Sequence, residues 1–421
     1  MSKCAMIPRP ISLDLTPVEV AARCAHLRGV VFFDTASAAP EPAISIIAAL
    51  PEETLSGRDW SKLREAVSQR RSGIGESNGL PHGFAAGYVD YEGRFCFGLY
   101  EQALIYRHTD RTWHALGDLQ SHFEISTSLE QPRLDFAPEM QREDYMRHVA
   151  QAQEYIAAGD IYQVNLAHRF STDFSGHAWP VYESLRECSP APYGAFLQLD
   201  GRAILSASPE CFLSLSGRSI RTRPIKGTRP RFPDREADER SADALQASAK
   251  EMAELIMITD LERNDLGAIC EFGSVHVTEL LRLESFQQVF HLVSTIEGKL
   301  RPEIDHIEAL RRCLPGGSIT GAPKKRAMEI IAELEPLPRG IYTGALGWIG
   351  FNGESQFNIA IRTMVLEDGR AHFHVGAGIV ADSDPGAEWQ ETLDKAAGLL
   401  LAAERLSKSS QPTQRTTCIP S

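Results

Sequence analysis

Gly194-Ala195-Phe196-Leu197-Gln198-Leu199-Asp200-Gly201-Arg202-Ala203-Ile204-Leu205-Ser206-Ala207 is the stretch that decides the fold class. Two apolar runs of strand length flank Asp200-Gly201. An Asp-Gly pair tolerates the positive φ angles of a two-residue turn whose twist suits an antiparallel hairpin. Glu367-Asp368-Gly369 repeats the signal inside residues 341–380, which read as strands separated by Gly-rich turns. Upstream, Val30-Val31-Phe32-Phe33, Ala43-Ile44-Ser45-Ile46-Ile47 and Gly83-Phe84-Ala85-Ala86-Gly87-Tyr88-Val89 read as buried strands, and Asp160 to Phe170 as another. Helices are fewer and longer. Glu143 to Ala158 has apolar residues at Tyr145, Val149, Ala152 and Ile156, a helical period, and Gly159 stands where a glycine ends such a helix. One long helix is predicted from Glu236 to Asp260, and a last one from Pro385 to about Arg405. Pro315 to Ile331 reads as a Gly-rich loop feeding a helix, with Pro323 near its first turn. Hairpins plus a few long helices predict an α+β fold with antiparallel sheets rather than a doubly wound parallel sheet.

The chain divides by information content. Residues 1–135 carry few motifs, residues 136–406 are dense in them, and the polar tail 407–421 reads as disordered. With 421 residues, 43% of them hydrophobic, there is ample material for a large core. Acids outnumber bases 56 to 43, a formal charge of −13. So acidic a chain is poorly suited to nonspecific binding of nucleic acid or anionic membrane. An anionic substrate would need a metal, a few Arg or Lys, or backbone amides. The eight cysteines (4, 24, 96, 188, 211, 270, 313, 418) form no C-x-x-C pair, which points away from zinc and redox motifs and toward a reduced protein. Met1 to Leu13 has prolines where a signal peptide needs an apolar run. No stretch approaches the ~20 apolar residues of a membrane span. The expectation is a cytoplasmic protein.

Several residues could carry chemistry. On the last helix, Ser383 and Asp384 are N-cap candidates, and Glu388, Glu391 and Lys395 share one face. Acids near a helix start also simply complement its dipole. Glu251 and Glu254 repeat the spacing on the earlier helix. Two such pairs could meet around one magnesium ion, which takes few carboxylates, several waters and an anionic ligand; a solvated helix face explains the spacing equally simply. Gly316 to Lys324 fails as a P-loop, because Ala322-Pro323 follows the second glycine, yet it could hold an anion through backbone amides and Thr320. It could also be only a turn. Glu210, just after a strand, is a general acid if buried and a surface turn acid otherwise. Lys226 lies among Arg221, Arg223 and Arg229; it is a nucleophile if neutral, and otherwise one more solvated lysine. His372 and His374 alternate on a strand and receive no role.

Taken together the motifs say more. Asp160-Ile161-Tyr162-Gln163-Val164-Asn165-Leu166, Ser208-Pro209-Glu210, Pro224-Ile225-Lys226-Gly227-Thr228 and Met257 to Gly267 are followed by Pro315 to Lys324, Gly340 to Ala345, Phe357 to Thr363 and Gly376 to Lys395. In this order, over residues 160 to 400, they resemble the chorismate-utilising enzymes: anthranilate synthase component I, aminodeoxychorismate synthase component I, and the isochorismate and salicylate synthases. The resemblance implies a large two-lobed α/β sandwich with antiparallel sheets and outer helices. It implies that Glu254 and Glu391 bind Mg2+, with Glu251 and Glu388 behind them, and that the metal holds the ring carboxylate of chorismate. Arg362 and Tyr342 would bind the enolpyruvyl carboxylate, with backbone amides of Gly376 and Gly378. Thr228, His291, Thr320 and Lys395 would line the same pocket, and Glu210 would protonate the departing C4 hydroxyl.

Two positions choose among the family's reactions. Where isochorismate and salicylate synthases resemble one another in a water-activating lysine, this chain has Gln163, and an amide is no base. Where anthranilate synthases resemble Pro-Ile-Ala-Gly-Thr, it has Lys226, as aminodeoxychorismate synthases do. The implied path is attack of Lys226 at C2, loss of the C4 hydroxyl, then ammonia at C4, giving 4-amino-4-deoxychorismate for p-aminobenzoate and folate. Alternatives are an anthranilate-type synthase that carries Lys226, or an inactive regulatory paralogue, against which the intact glutamates argue. No G-x-C-x-G nucleophile motif is present, so ammonia would come from solution or from a separate glutamine amidotransferase subunit. Too few residues follow 405 for a lyase domain. Cys211 and Thr259 depart from the family pattern. Phe32 to Ala36 and Ser45 are similar to the stretch that binds tryptophan in relatives, and no such binding is assigned to this chain.

Overall fold

The computed structural model describes residues 7–36, 43–71, 79–124 and 132–409. Its described strands form two antiparallel sheets, one of twelve strands and one of ten. In the larger sheet, Val31–Asp34, Tyr193–Leu199, Arg202–Ser208, Thr363–Glu367, Arg370–Ile379 and Gln163–Asp173 run side by side. In the smaller, Ile225–Pro230, Val289–Lys299, Ser219–Arg223, Cys211–Ser216, Glu354–Ile359, Ala345–Gly350 and Phe84–Val89 do so. The first 135 residues supply strands to both.

The predicted hairpin forms with Leu199 opposite Arg202, and Asp200 and Gly201 take φ values of 53° and 75°. Asp368 and Gly369 repeat this at 50° and 76°. Both sheets bury one face against the other. Val31, Phe33, Ile46, Leu197 and Ile204 from the larger sheet pack with Phe84, Tyr88, Leu346 and Trp348 from the smaller. Helices cover the outer faces: Ala178–Cys188 and Pro385–Ser409 on the larger sheet, Trp60–Gln69 and His306–Cys313 on the smaller. The resulting layers are helix, sheet, sheet, helix, as expected for an antiparallel α/β sandwich. Among the described residues, no helix is long and apolar enough to cross a membrane.

Three boundaries differ from the sequence reading. The strand expected from Asp160 begins at Gln163, because Tyr162 is 73% exposed and its N–H is spent on Ala322 O at 2.7 Å. The single helix expected from Glu236 to Asp260 is two, Arg235–Gln246 and Ala249–Gly267. Ser248 breaks it by capping the second, its hydroxyl accepting the Glu251 N–H. The last helix runs to Ser409, and the rest of the tail (410–421) lies outside the described residues.

Candidate active site

The site lies where the chain crosses between the sheets. Pro209-Glu210 link Arg202–Ser208 of the larger sheet to Cys211–Ser216 of the smaller. Ala360-Ile361-Arg362 make the return crossing, and Arg362 takes a positive φ of 50°. A chain leaving one sheet for another exposes side chains that a continuous strand would bury in its pairing face. Here they open onto a cavity of about 610 Å3.

All predicted site residues except Thr320 and Glu388 line this cavity. Helix Ala249–Gly267 supplies Glu251 and Glu254; helix Pro385–Ser409 supplies Glu391 and Lys395. Asp384 starts the latter helix, its Oδ1 accepting the Ala387 N–H at 2.8 Å. Lys226 and Thr228 come from Ile225–Pro230, and Thr228 is opposite His291 in the neighbouring strand. Gly376 and Gly378 form part of the floor. A side chain at Gly378 would begin 2.4 Å from Gln163 Nε2 and 3.1 Å from Lys226 Nζ; one at Gly376 would begin 2.7 Å from Leu166 O and 2.9 Å from the Tyr342 hydroxyl. Glycine is therefore required at both positions, by neighbours among which Lys226 and Tyr342 also line the cavity.

The carboxylates are partnered by bases. Lys226 Nζ lies 3.2 Å from Glu254, Lys395 Nζ 2.8 Å from Glu391, and Arg229 3.6 Å from Glu251. Burial raises the carboxyl of Glu251, and neighbouring Glu254 adds to it. At Glu391 burial acts upward, but Lys395, Lys226 and Lys250 outweigh it and leave the carboxyl below its ordinary value. Glu388 stands behind the wall, buried, accepting from Ser383 Oγ at 2.7 Å, while its Oε2 is buried with no hydrogen-bond partner. Among the described residues no three His, Cys, Asp or Glu side chains converge on a metal-sized point. Glu254 and Glu391 come from different helices and both open on the cavity, so a magnesium ion held there would take its other ligands from water and a bound anion.

Glu210 is a buried acid. Burial pushes its carboxyl up to about 7, against the Ser318 hydroxyl, which donates to Oε1 at 2.7 Å. A carboxyl so placed still holds its proton near neutrality. On the same cavity wall, Arg362 has no acceptor among the described residues, and burial alone lowers its affinity for the proton. An unpaired guanidinium in a cavity wall is a receptor for an anion. Tyr342 stacks on His374 with ring centres 5.3 Å apart. Burial pushes the His291 imidazole down to about 4, so it is neutral, with Nδ1 3.0 Å from Thr228 Oγ1 and 3.2 Å from Gly227 O.

Thr320 does not reach the cavity. Its side chain is wholly buried and its hydroxyl donates to Gly316 O at 2.9 Å. The Gly-rich loop is no anion cradle either, since the Gly317 N–H is taken by Glu262 Oε1 at 2.8 Å. Ser318, two residues before Thr320, lines the cavity instead. His374, given no role from sequence, also lines it. Alternation on the strand Arg370–Ile379 with Gly376 and Gly378 was the available signal, as the three share a face. In the N-terminal region, Phe33, Asp34 and Thr35 border a separate narrow cleft with Trp348 and Asn358.

Residues 34–401 match the family of chorismate binding enzymes. Aminodeoxychorismate synthase component 1 of Escherichia coli is 44% identical over 321 residues, which are 73% of this chain and 70% of that protein. Anthranilate synthase component 1 of Streptomyces coelicolor is 50% identical over 262 residues, 62% of this chain. The chain spans only 51% of that second relative's length. Among solved structures, anthranilate synthase component I from Streptococcus pneumoniae superposes with a TM-score of 0.75 at 30% identity, covering 86% of this chain and 93% of that one.

Proposed function

This chain belongs to the family of chorismate binding enzymes, and we propose that it aminates chorismate with ammonia at C4, yielding 4-amino-4-deoxychorismate. The observation that carries this reading is the placement of Lys226 and Glu210 on one cavity, an amine and a buried acid. Lys226, once neutral, attacks C2. Both ring double bonds shift, the C4–O bond breaks, and Glu210 gives its proton to the departing oxygen, which leaves as water. Ammonia then forms the C4–N bond and expels the lysine amine from C2, and the proton shed by the new amine returns to Glu210. The enolpyruvyl group is kept.

Arg362 and the Tyr342 hydroxyl hold the enolpyruvyl carboxylate, with backbone amides of Gly376 and Gly378. Lys395, whose Nζ donates to Gly376 O at 2.9 Å, braces that floor. Thr228 and His291 close the wall beside Lys226. Glu254 and Glu391 would hold Mg2+, with Glu251 and Glu388 behind; the ion, when bound, neutralises the ring carboxylate. The orphaned Oε2 of Glu388 supports a cation there. The name component 1 carried by the relatives supports a partner that delivers ammonia, a glutamine amidotransferase subunit in our reading. The product suits p-aminobenzoate and folate synthesis. Free Cys24, Cys96, Cys188, Cys211, Cys270 and Cys313 support a reducing compartment, and we place the enzyme in the cytoplasm.

A second reading, amination at C2 with loss of pyruvate, is favoured by the 50% identity to an anthranilate synthase. Intact-protein mass spectrometry after incubation with chorismate and Mg2+ but no ammonia tests the covalent route. An adduct on Lys226 is expected, absent from Lys226→Ala. An adduct that persists in that variant, or none in the unaltered protein, would overturn it.

A further inference from the structure

We propose that Glu262 and Ser318 are positioning residues for Glu210, fixing its carboxyl in the orientation that delivers a proton into the cavity. The inference rests on the reading of Glu210 as the general acid.

Ser318 sits in the short 3-10 turn Gly317–Ile319. It joins two buried carboxyls that would otherwise have no common partner. Its hydroxyl donates to Glu210 Oε1 at 2.7 Å. Its backbone N–H, with that of Gly317 at 2.8 Å, donates to Glu262. Glu262 is 3% exposed and comes from helix Ala249–Gly267, outside the cavity wall. The turn cannot slide. A side chain at Gly317 would begin 2.7 Å from Leu261 and 3.1 Å from Glu262 Oε1, so the backbone lies flat on the helix. One turn of helix along, Asp265 pairs with Lys324, and Lys324 Nζ also donates to Pro315 O at 2.9 Å, pinning the start of the same loop.

The arrangement has a chemical consequence. With Oε1 accepting from the Ser318 hydroxyl, Oε2 is the oxygen better placed to carry the acidic proton. The groups facing Glu210 are the Lys226 ammonium and the Ile225 N–H from one strand, the Ser318 hydroxyl from the turn, the Cys211 thiol beside it, and the Glu262 carboxyl from the helix. Those facing Glu262 are Asp265, Lys324, the two turn N–H groups and the Cys313 thiol. The Ser318 donor favours the carboxylate form of Glu210, whereas negative charge on Glu262 favours the protonated form. Removing each should therefore displace the acid's titration in opposite directions.

The test is kcat/KM for chorismate against pH, at constant free ammonia, for the unaltered protein, Ser318→Ala, Ser318→Thr, Glu262→Gln and Glu210→Gln. The fall in rate on the alkaline side reports deprotonation of the acid. In Ser318→Ala the rate should drop on the order of 10- to 100-fold, with the alkaline limb moved to higher pH and Ser318→Thr restoring both. In Glu262→Gln, whose amide oxygen still accepts from Gly317, the limb should move to lower pH. Chorismate affinity, read by titration without ammonia, should change less than about twofold in either. Rates that fall while the limb stays in place, or limbs that move the same way in both variants, would reduce the pair to structural supports and overturn the proposal while Glu210→Gln remains inactive. Retained turnover in Glu210→Gln would instead overturn the acid assignment itself, and the relay with it.

Discussion

Asp34 and Arg362 are both charged residues at the ends of strands in the larger sheet, and they are treated in opposite ways. Asp34 is 3% exposed and accepts from Arg186 Nε at 2.5 Å and the Tyr182 hydroxyl at 3.1 Å. Burial raises its carboxyl, and Arg186 opposes that. Arg362 faces the 610 Å3 cavity with no carboxylate beside it. A buried charge with a partner holds the fold together, and removing the partner leaves an uncompensated ion. A charge left without one is kept for a ligand that brings the opposite sign. The contrast belongs to these two positions, since paired buried charges such as Arg339 with Glu335 also occur in the motif-dense remainder.

The contrast predicts which quantity each substitution changes. Asp34→Ala should lower unfolding stability by about 3 kcal/mol, while the folded fraction keeps its kinetic constants. A change in chorismate KM at unchanged stability would break the contrast at its N-terminal end. Arg362→Ala should do the reverse, raising chorismate KM on the order of 100-fold, since a buried charged contact is lost. Its denaturation midpoint should move little, because no native partner is orphaned. A fall in stability without a KM effect would show Arg362 to be structural.

The smallest effect concerns a third, wholly paired charge. Glu308 accepts from Arg64 at 2.8 Å, Arg311 at 2.7 Å and Arg312 at 2.5 Å. Arg311's hydrogen bond foremost, then those of Arg312 and Arg64, hold its carboxyl down at about 2 against the burial that opposes them. A depressed carboxyl stabilises the fold above its ordinary value of 4.5, and that contribution is lost as pH falls through about 2. Because the three arginines are 42–47% exposed, solvent screening limits the gain to about 1 kcal/mol. Glu308→Gln should therefore be about 1 kcal/mol less stable at pH 7, with the gap closing between pH 4.5 and 2. Chemical denaturation across that range measures it, and a gap independent of pH would contradict the assignment.

Much of the architecture was legible in local signals. Asp200-Gly201 and Asp368-Gly369 specify hairpins because few other residues accept positive φ at both turn positions. The helix break at Ser248 has a local signal, since Ser248 and Glu251 have the spacing of an N-cap and its third residue. Short edge strands such as Arg9–Ile11 and Glu53–Gly57 alternate weakly and are half solvated, so periodicity does not mark them. In the site, the structure brings Glu210, Glu251, Glu254, Glu391, Lys226 and Arg362 to one cavity, with Glu388 buried behind its wall. Thr320 was misplaced because its hydroxyl is consumed four residues away by Gly316 O, a bond that depends on the turn geometry. Glu262 was invisible for a related reason. Its partner is a backbone N–H 55 residues distant, and nothing in its own neighbourhood signals burial.

The central claim is that nitrogen enters at C4 with the enolpyruvyl group retained. Incubating the purified protein with chorismate, Mg2+ and an ammonium salt, and identifying the products by mass spectrometry, tests it most directly. The structure-based account predicts 4-amino-4-deoxychorismate and no pyruvate. Anthranilate with one equivalent of pyruvate would contradict it.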